Sequence, residues 1–391
     1  MASITKRGKT WAYRVNYVDS NGNRHQINKG GFKLKTLAEA AAADVEREKR
    51  LGANPSDRDT SFIEYWDGWI KRYKSGKNAT VTEKRYAIIG KTLKKYFGNK
   101  LLRDLRPSDW QDFLNAFGKN HSKATVSKVN GYVRSMSKAA INDQLIHTDF
   151  TFGAQLTGIA GKRDADKFVQ SDELEAIMAK AYAGADFNHI TNCIIYLGAV
   201  SGARYSELIG LTWKDINFSE STININKTWD YHFDQGFLPT KTPSSVRIVR
   251  VTKPAMTMLK RLKMEQNAYF IKSGRDSQQM VFRSKRGEIP TNAAANKMLS
   301  KIEDRVEEDL RKLKNIDDPD QQMLSNHITF HGLRHSHVSY LLSQHVDIYY
   351  ISKRLGHSDP SITLSVYSHM LDTLQTEQED LTIKALSKLE G

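Results

Sequence analysis

Two short stretches near the C-terminus hold residues that could do chemistry together. They are His331-Gly332-Leu333-Arg334 and Leu355-Gly356-His357, the second leading on to Tyr367. An arginine forks two donors onto phosphate oxygens and keeps its charge. A histidine is the side chain best suited to moving protons near neutral pH. A tyrosine hydroxyl is a weak nucleophile until its surroundings activate it, and it can then form a covalent intermediate. Cations gathered round a tyrosine therefore point to phosphoryl transfer onto that tyrosine. Upstream, Arg204 follows the Ser201-Gly202 turn, with Glu207 one helical turn on. Between the two regions, Lys241 lies in Leu238-Pro239-Thr240-Lys241-Thr242-Pro243, followed by Arg247.

Arg with Glu three residues on, Lys in a hairpin, His-x-x-Arg, Leu-Gly-His and then Tyr form an ordered set. In that order the chain resembles the tyrosine recombinases, specifically integrases of temperate phages and integrative elements of Gram-positive bacteria. The resemblance is detailed from about Phe168 to Tyr367 and looser elsewhere. It implies that Arg204 and Arg334 clamp the scissile phosphate and that Lys241 protonates the departing 5′ oxygen. Glu207 orients the site, His331 assists proton transfer and His357 donates to the phosphate. Tyr367, ten residues after His357, is the nucleophile; Tyr340, Tyr349 and Tyr350 are nearby alternatives without the family's position. Positive charge on the arginines would stabilise the transition state, where charge rises on the equatorial phosphate oxygens. The 3′-phosphotyrosine conserves the phosphodiester energy, so the scheme needs no cofactor, neither ATP nor metal. His331, His335 and His337 also invite a metal-site reading, but no cysteine lies nearby and Arg334 among them would repel a cation.

These residues need elements to hold them. Asp347 can cap a short helix ending at Leu355, with Gly356 as its C-cap, and Pro360 restarts a helix that carries Tyr367. Residues 221–227 alternate like a strand, and Val246, Ile248 and Arg250 alternate in a returning strand, with Lys241 at the turn between them. Helices are expected from Ser171 through Leu211, over about 254–271 and over 292–314. A tail with Leu374, Leu381, Ile383, Leu386 and Leu389 needs an apolar groove, in cis on its own domain or in trans, and the resemblance implies docking on a neighbouring protomer.

The fold class expected is multidomain, mainly α with small β-sheets. Residues 1–55 read as a small β-sheet plus helix. Trp11, Tyr13, Val15 and Tyr17 alternate in one strand, Asp19–Asn23 supplies a turn, and a second strand follows near Arg24–Asn28. A short third strand could open at Gly30-Gly31-Phe32, and Thr36 with Glu39 forms a capping box for a helix to about Arg50. Residues 60–157 read as a helical, SAM-like bundle whose stripe of Phe62, Tyr65, Trp66, Trp69 and Tyr73 belongs in a core. Its fourth helix should run from about Ser122 to Leu145. Linkers fall at 52–59 and 158–167, and residues 168–391 form a mixed α/β catalytic domain with its tail. The resemblance makes the first segment an arm-site DNA-binding domain and the second a core-site one. Candidate DNA contacts are Arg14 and Arg24 on the sheet and Lys84, Lys94, Lys95, Lys123 and Lys128 on the bundle.

Composition agrees. The chain of 391 residues has 59 Lys+Arg against 44 Asp+Glu, a formal net charge of +15, which favours a polyanionic partner. No apolar run is long enough for a membrane span, no signal-peptide core is present, and the single cysteine, Cys193, forbids an intrachain disulfide. A bacterial cytoplasm, on the nucleoid, is the expected place. Expected partners are double-stranded DNA at core and arm attachment sites and three further copies in a homotetramer. The resemblance leaves open an excision factor and a host DNA-bending protein. The expected function is therefore a site-specific recombinase, an integrase that inserts or excises a mobile element or prophage. A type IB topoisomerase would use similar chemistry, but a monomeric swivelase needs neither the N-terminal sheet nor the tail. A silent DNA-binding regulator would not need the full residue set.

Overall fold

The computed structural model describes residues 2–18, 23–50, 59–77, 80–161, 163–231, 236–272, 279–319 and 321–361, together with 363, 364, 367, 379, 382–384 and 386–388. They divide into two compact units, 1–161 and 162–391.

The first unit holds two separate cores. At its start β1 (Ser3–Arg7), β2 (Thr10–Val18) and β3 (Arg24–Phe32) form an antiparallel sheet in that order, backed by α1 (Lys35–Arg50). Alternation along β2 buries Tyr13 and Val15 against Ala42 and Val45 of α1 and leaves Arg14 exposed. Two expectations need correction. Gly30-Gly31-Phe32 opens no third strand: β3 runs through it across a register shift, and the third strand is β1. Its one apolar residue, Ile4, left no period to read. Helix α1 opens at Lys35, so Thr36 and Glu39 both lie within the helix rather than at its cap, and Lys35 pairs with Glu39 at 3.2 Å. Most of the expected turn at 19–23 and linker at 52–59 lies outside the described residues.

The second core is a bundle of α2 (Phe62–Tyr73), α3 (Thr80–Phe97), α4 (Pro107–Gly118) and α5 (Lys123–Asn142). The Ser61/Glu64 capping box forms in both directions, at 2.9 and 3.2 Å. Phe62, Trp66 and Trp69 pack with Trp110 and Phe113. Helix α5 stops three residues before Leu145 because Gln144 takes φ 58° and Leu145 N–H folds back to the Ala140 carbonyl. The start of the expected second linker is pinned. Ile159 and His121 bridge at 2.9 Å, and Gly158 has φ 134° with no room for a Cβ, which would fall 2.7 Å from Lys123 N.

The second unit contains α6 (Ser171–Ala183), α7 (Ile190–Ser201), α8 (Tyr205–Ile209), β4 (Ile216–Asn217), β5 (Thr222–Ile225), β6 (Thr228–Trp229), β7 (Phe237–Leu238), β8 (Arg247–Arg250), α9 (Lys253–Lys272), α10 (Asn292–Lys314), α11 (Phe330–Ser343) and α12 (Ile348–Leu355). Helix α7 is apolar almost all round, so it is buried, and α6, α8, α9, α10 and α11 pack on it. Strands β4-β5-β8 form one antiparallel sheet and β6-β7 a second ladder. Ile223 and Ile225 point into the core as expected. On β8 the inward residue is Val249, while Ile248 is 70% exposed.

Segment 322–330, leading into α11, is tied to α10 by carboxylates. Glu307 accepts from Met323 and Leu324 N–H, Glu303 accepts from Ile328 N–H, and His327 lies 3.3 Å from both. That anchoring fixes where α11 begins.

Candidate active site

Arg204 owes its place to the end of α7. Gly202 adopts φ 65°, the left-handed C-cap that glycine takes without strain. A Cβ there would fall 2.7 Å from the His337 ring, so the chain passes close against α11. Arg204 then starts α8, its N–H donating to Glu207 Oε2 at 2.9 Å and its Nη1 to Oε1 at 2.7 Å. Glu207 is 1% exposed. Burial alone would raise its carboxyl, but Arg247, 3.0 Å away, and Arg204 outweigh it and hold the carboxylate below its usual range.

Arg247 is a site residue that sequence reading left without a role. Besides Glu207 it donates to the Arg354 carbonyl at 2.6 Å and the Ser245 carbonyl at 2.9 Å. It therefore joins β8, α8 and the end of α12.

Arg334 lies in the first turns of α11 and is buried. Its Nη1 donates to the Gly202 carbonyl at 2.7 Å, and its Nη2 to the Leu355 carbonyl and to His357 Nε2, both at 2.9 Å. Burial, then the neighbouring charge of Arg204, lowers its hold on its proton. Three guanidiniums against one carboxylate leave the cluster with excess positive charge in a place poor in water. Such a cluster attracts an anion.

Asp347 caps α12 through Tyr350 N–H at 2.9 Å, and Gly356 closes it at φ 71°, which presents His357. Burial, with Arg334 and Arg204 close by, pushes the His357 imidazole down to about 4. It is thus neutral near pH 7, with Nε2 accepting from Arg334 and Nδ1 donating to Thr363 Oγ1 at 2.7 Å. Donation to a phosphate requires Arg334 to release Nε2 and the ring proton to move there, with Nδ1 then accepting from the Thr363 hydroxyl. His331 keeps part of its surface open, yet desolvation, and then the charges of Arg334 and Arg204, depress it below its ordinary range.

Tyr367 is 3% exposed, its ring among Val338, Leu342, Ile351 and Leu355. It is close enough to Arg334 for their charges to interact. Its hydroxyl lies 2.6 Å from Nδ1 of His335, a residue weighed in the sequence only as a metal ligand. Tyr349 and Tyr350, by contrast, are 68% and 53% exposed.

The histidines of the motif diverge. His337 is buried, its Nδ1 donating to the Ala199 carbonyl and its Nε2 accepting from Arg354, and burial drives it down to about 3. Among the described residues no group of three or more His, Cys, Asp or Glu is placed to hold a metal ion.

Lys241 is not at a hairpin tip. Phe237 and Leu238 pair with Trp229 and Thr228, so the tip lies earlier and Lys241 sits exposed beyond the ladder, before Pro243. Among the described residues no hydrogen bond or ion pair holds it. A second lysine, Lys227, follows β5 and is engaged by Asp215 and Asn226. The candidate DNA contacts Arg14, Arg24, Lys84, Lys94, Lys95, Lys123 and Lys128 are all exposed, and Arg14 donates to Asn28 at 3.1 Å. Of the tail, Ile383 and Leu386 are helical and exposed, while Leu374, Leu381 and Leu389 lie outside the described residues. No helix among the described residues is long and apolar enough to cross a membrane.

Comparison with known proteins follows this division. Residues 2–49 match an arm DNA-binding domain, 61–117 the N-terminal SAM-like domain of phage integrases, and 167–373 the phage integrase family. The integrase of Staphylococcus phage L54a is 25% identical over 355 residues, covering 85% of this chain and 96% of its own. The fold is shared with the Tn1549 transposon integrase solved with a circular intermediate DNA (TM-score 0.63, 18% identity, 82% of this chain and 99% of that one). It is shared too with a lambda integrase tetramer bound to a Holliday junction (TM-score 0.54, 16% identity, 91% and 96%). The family match spans more than half of the sequence, and the chain belongs to the phage integrase family: it is a tyrosine-type site-specific DNA recombinase.

Proposed function

We propose that this recombinase integrates or excises a prophage or other mobile element through a 3′-phosphotyrosine at Tyr367. Arg204 and Arg334 bind the non-bridging oxygens, with Glu207 holding Arg204 in place. Lys241 protonates the 5′ oxygen, His331 assists proton transfer, and His357 donates to the phosphate once Arg334 turns to it and the ring proton shifts to Nε2. The supporting observation is the excess of positive charge at the half-buried Arg204 and Arg247 and the buried Arg334, beside a buried tyrosine. Such preorganised charge favours the transition state because no solvent has to reorganise. The chemistry runs without ATP or metal, the arginines supplying the charge that a metal would otherwise provide.

Residues 1–55 grip arm sites, while residues 60–157 and 168–391 hold the crossover site. Four copies act on two duplexes; the shared fold of the lambda tetramer on a Holliday junction supports this. The tail after Tyr367 couples neighbouring copies. An excision factor and a host DNA-bending protein would set direction, and the reaction takes place on the nucleoid. The test is a nicked duplex that traps the cleaved state, incubated in excess EDTA. Wild type should form covalent adducts and Tyr367→Phe none, with DNA binding retained. Adducts at the wild-type level from Tyr367→Phe, or an absolute need for magnesium, would overturn the reading.

A further inference from the structure

The scheme names a nucleophile and an acid for the leaving group, yet the phenolic proton also has to leave. A phenol ionises near pH 10, so at neutral pH the attacking oxygen needs an acceptor within reach. His335 is the group in contact. Its Nδ1 lies 2.6 Å from Tyr367 Oη, and the two rings are 5.8 Å apart at a tilt of 48°. One neighbour restricts it. His331, one helical turn earlier, sets its ring edge-on at 5.0 Å. The tyrosine ring is fixed in turn by packing against Val338, Leu342, Ile351 and Leu355. The other histidines nearby are occupied differently: His357 between Arg334 and Thr363, His337 between Ala199 and Arg354.

We propose that His335 is catalytic and is the base that takes the proton of Tyr367. This rests on Tyr367 being the nucleophile. As the Oη–P bond forms, the phenolic proton passes to Nδ1. The P–O5′ bond breaks, and the 5′ oxygen leaves with a proton from the general acid. On resealing, the 5′ hydroxyl attacks phosphorus, its proton returns to that acid, and the phenolate departs with the proton held on Nδ1. The step requires the tautomer with hydrogen on Nε2, so that Nδ1 accepts.

The test uses full-length protein and a nicked duplex carrying a cleavage site selected by the wild type from random-sequence DNA. Two substrates are made, with oxygen or with sulfur bridging to the 5′ carbon; a thiolate leaves without an acid. Single-turnover cleavage by His335→Ala and His335→Gln should fall about 100-fold or more on the oxygen substrate, the usual scale for a lost base. Sulfur should not restore it, whereas added imidazole should raise the rate of His335→Ala. Melting curves and DNA affinity of both variants establish that they are folded, and His335→Gln serves if the alanine variant is not. Wild-type cleavage rates in a folded variant, or full recovery with sulfur, would overturn the role. Adducts formed by Tyr367→Phe would instead refute the nucleophile, so the two failures are distinguishable.

Discussion

The buried cluster of the C-terminal unit and the N-terminal sheet both collect cations, in opposite ways. Arg247 and Arg334 are each held by three acceptors, and Arg204 is locked onto Glu207. On the sheet Arg14 and Arg24 stand in water. Buried charge that cannot relax is costly to the fold and useful to a transition state. Exposed charge on long side chains costs little and displaces counterions from DNA. The difference teaches that position, more than number, separates arginines that act on a phosphate from those that grip a duplex.

The comparison can be broken by mutation. Arg334→Ala or Arg204→Ala should lower single-turnover cleavage about 100- to 1,000-fold, the scale for removing one preorganised donor. Affinity for the crossover duplex should change far less; equal losses in both would make these arginines mere grips. A smaller loss, about 100-fold, is expected for Lys241→Ala, with recovery on the sulfur-bridged substrate. If Lys227→Ala shows that recovery and Lys241→Ala does not, the acid role passes to Lys227.

On the sheet, Arg14→Ala or Arg24→Ala should leave crossover-site cleavage unchanged. Each should reduce the slope of log affinity against log salt for arm DNA by about one unit. An unchanged slope would remove that residue from the phosphate contacts.

The smallest effect is on stability. His357 and His337 are depressed to about 4 and about 3 in the fold, against about 6.5 unfolded. Below about pH 6.5 the unfolded chain therefore binds more protons, so the C-terminal unit should lose stability as pH falls toward 4. Melting followed by amide exchange in this unit should show the loss. A melting midpoint that does not move between pH 7 and 5 would contradict the buried, neutral assignment.

Much of this was legible in the sequence because the chemistry sits at helix ends, where caps and glycines leave marks. The Asp347 cap, the Gly356 stop and the Ser201-Gly202 turn all form where residue types placed them. Arg247 was opaque for a physical reason: its carboxylate partner lies forty residues away and is brought to it only by the tertiary fold. His335 hid inside a histidine-rich motif whose members point in different directions, which spacing cannot show. Lys241 lies in the connection between β5 and β8 where the sequence put it, but not at a hairpin tip, because the intervening two-residue ladder, Thr228-Trp229 with Phe237-Leu238, is too short to leave a period. Strand β1 was missed for want of a second apolar residue.

The attacking tyrosine can be read from the trapped intermediate itself. Wild-type protein is trapped on the nicked duplex in EDTA and digested, and the peptide bearing the nucleotide is sequenced by mass spectrometry. The phosphodiester is expected on Tyr367, the buried tyrosine beside Arg334. Exposure alone would favour Tyr349 or Tyr350, at 68% and 53%. A nucleotide on either of those, or on Tyr340, would contradict it.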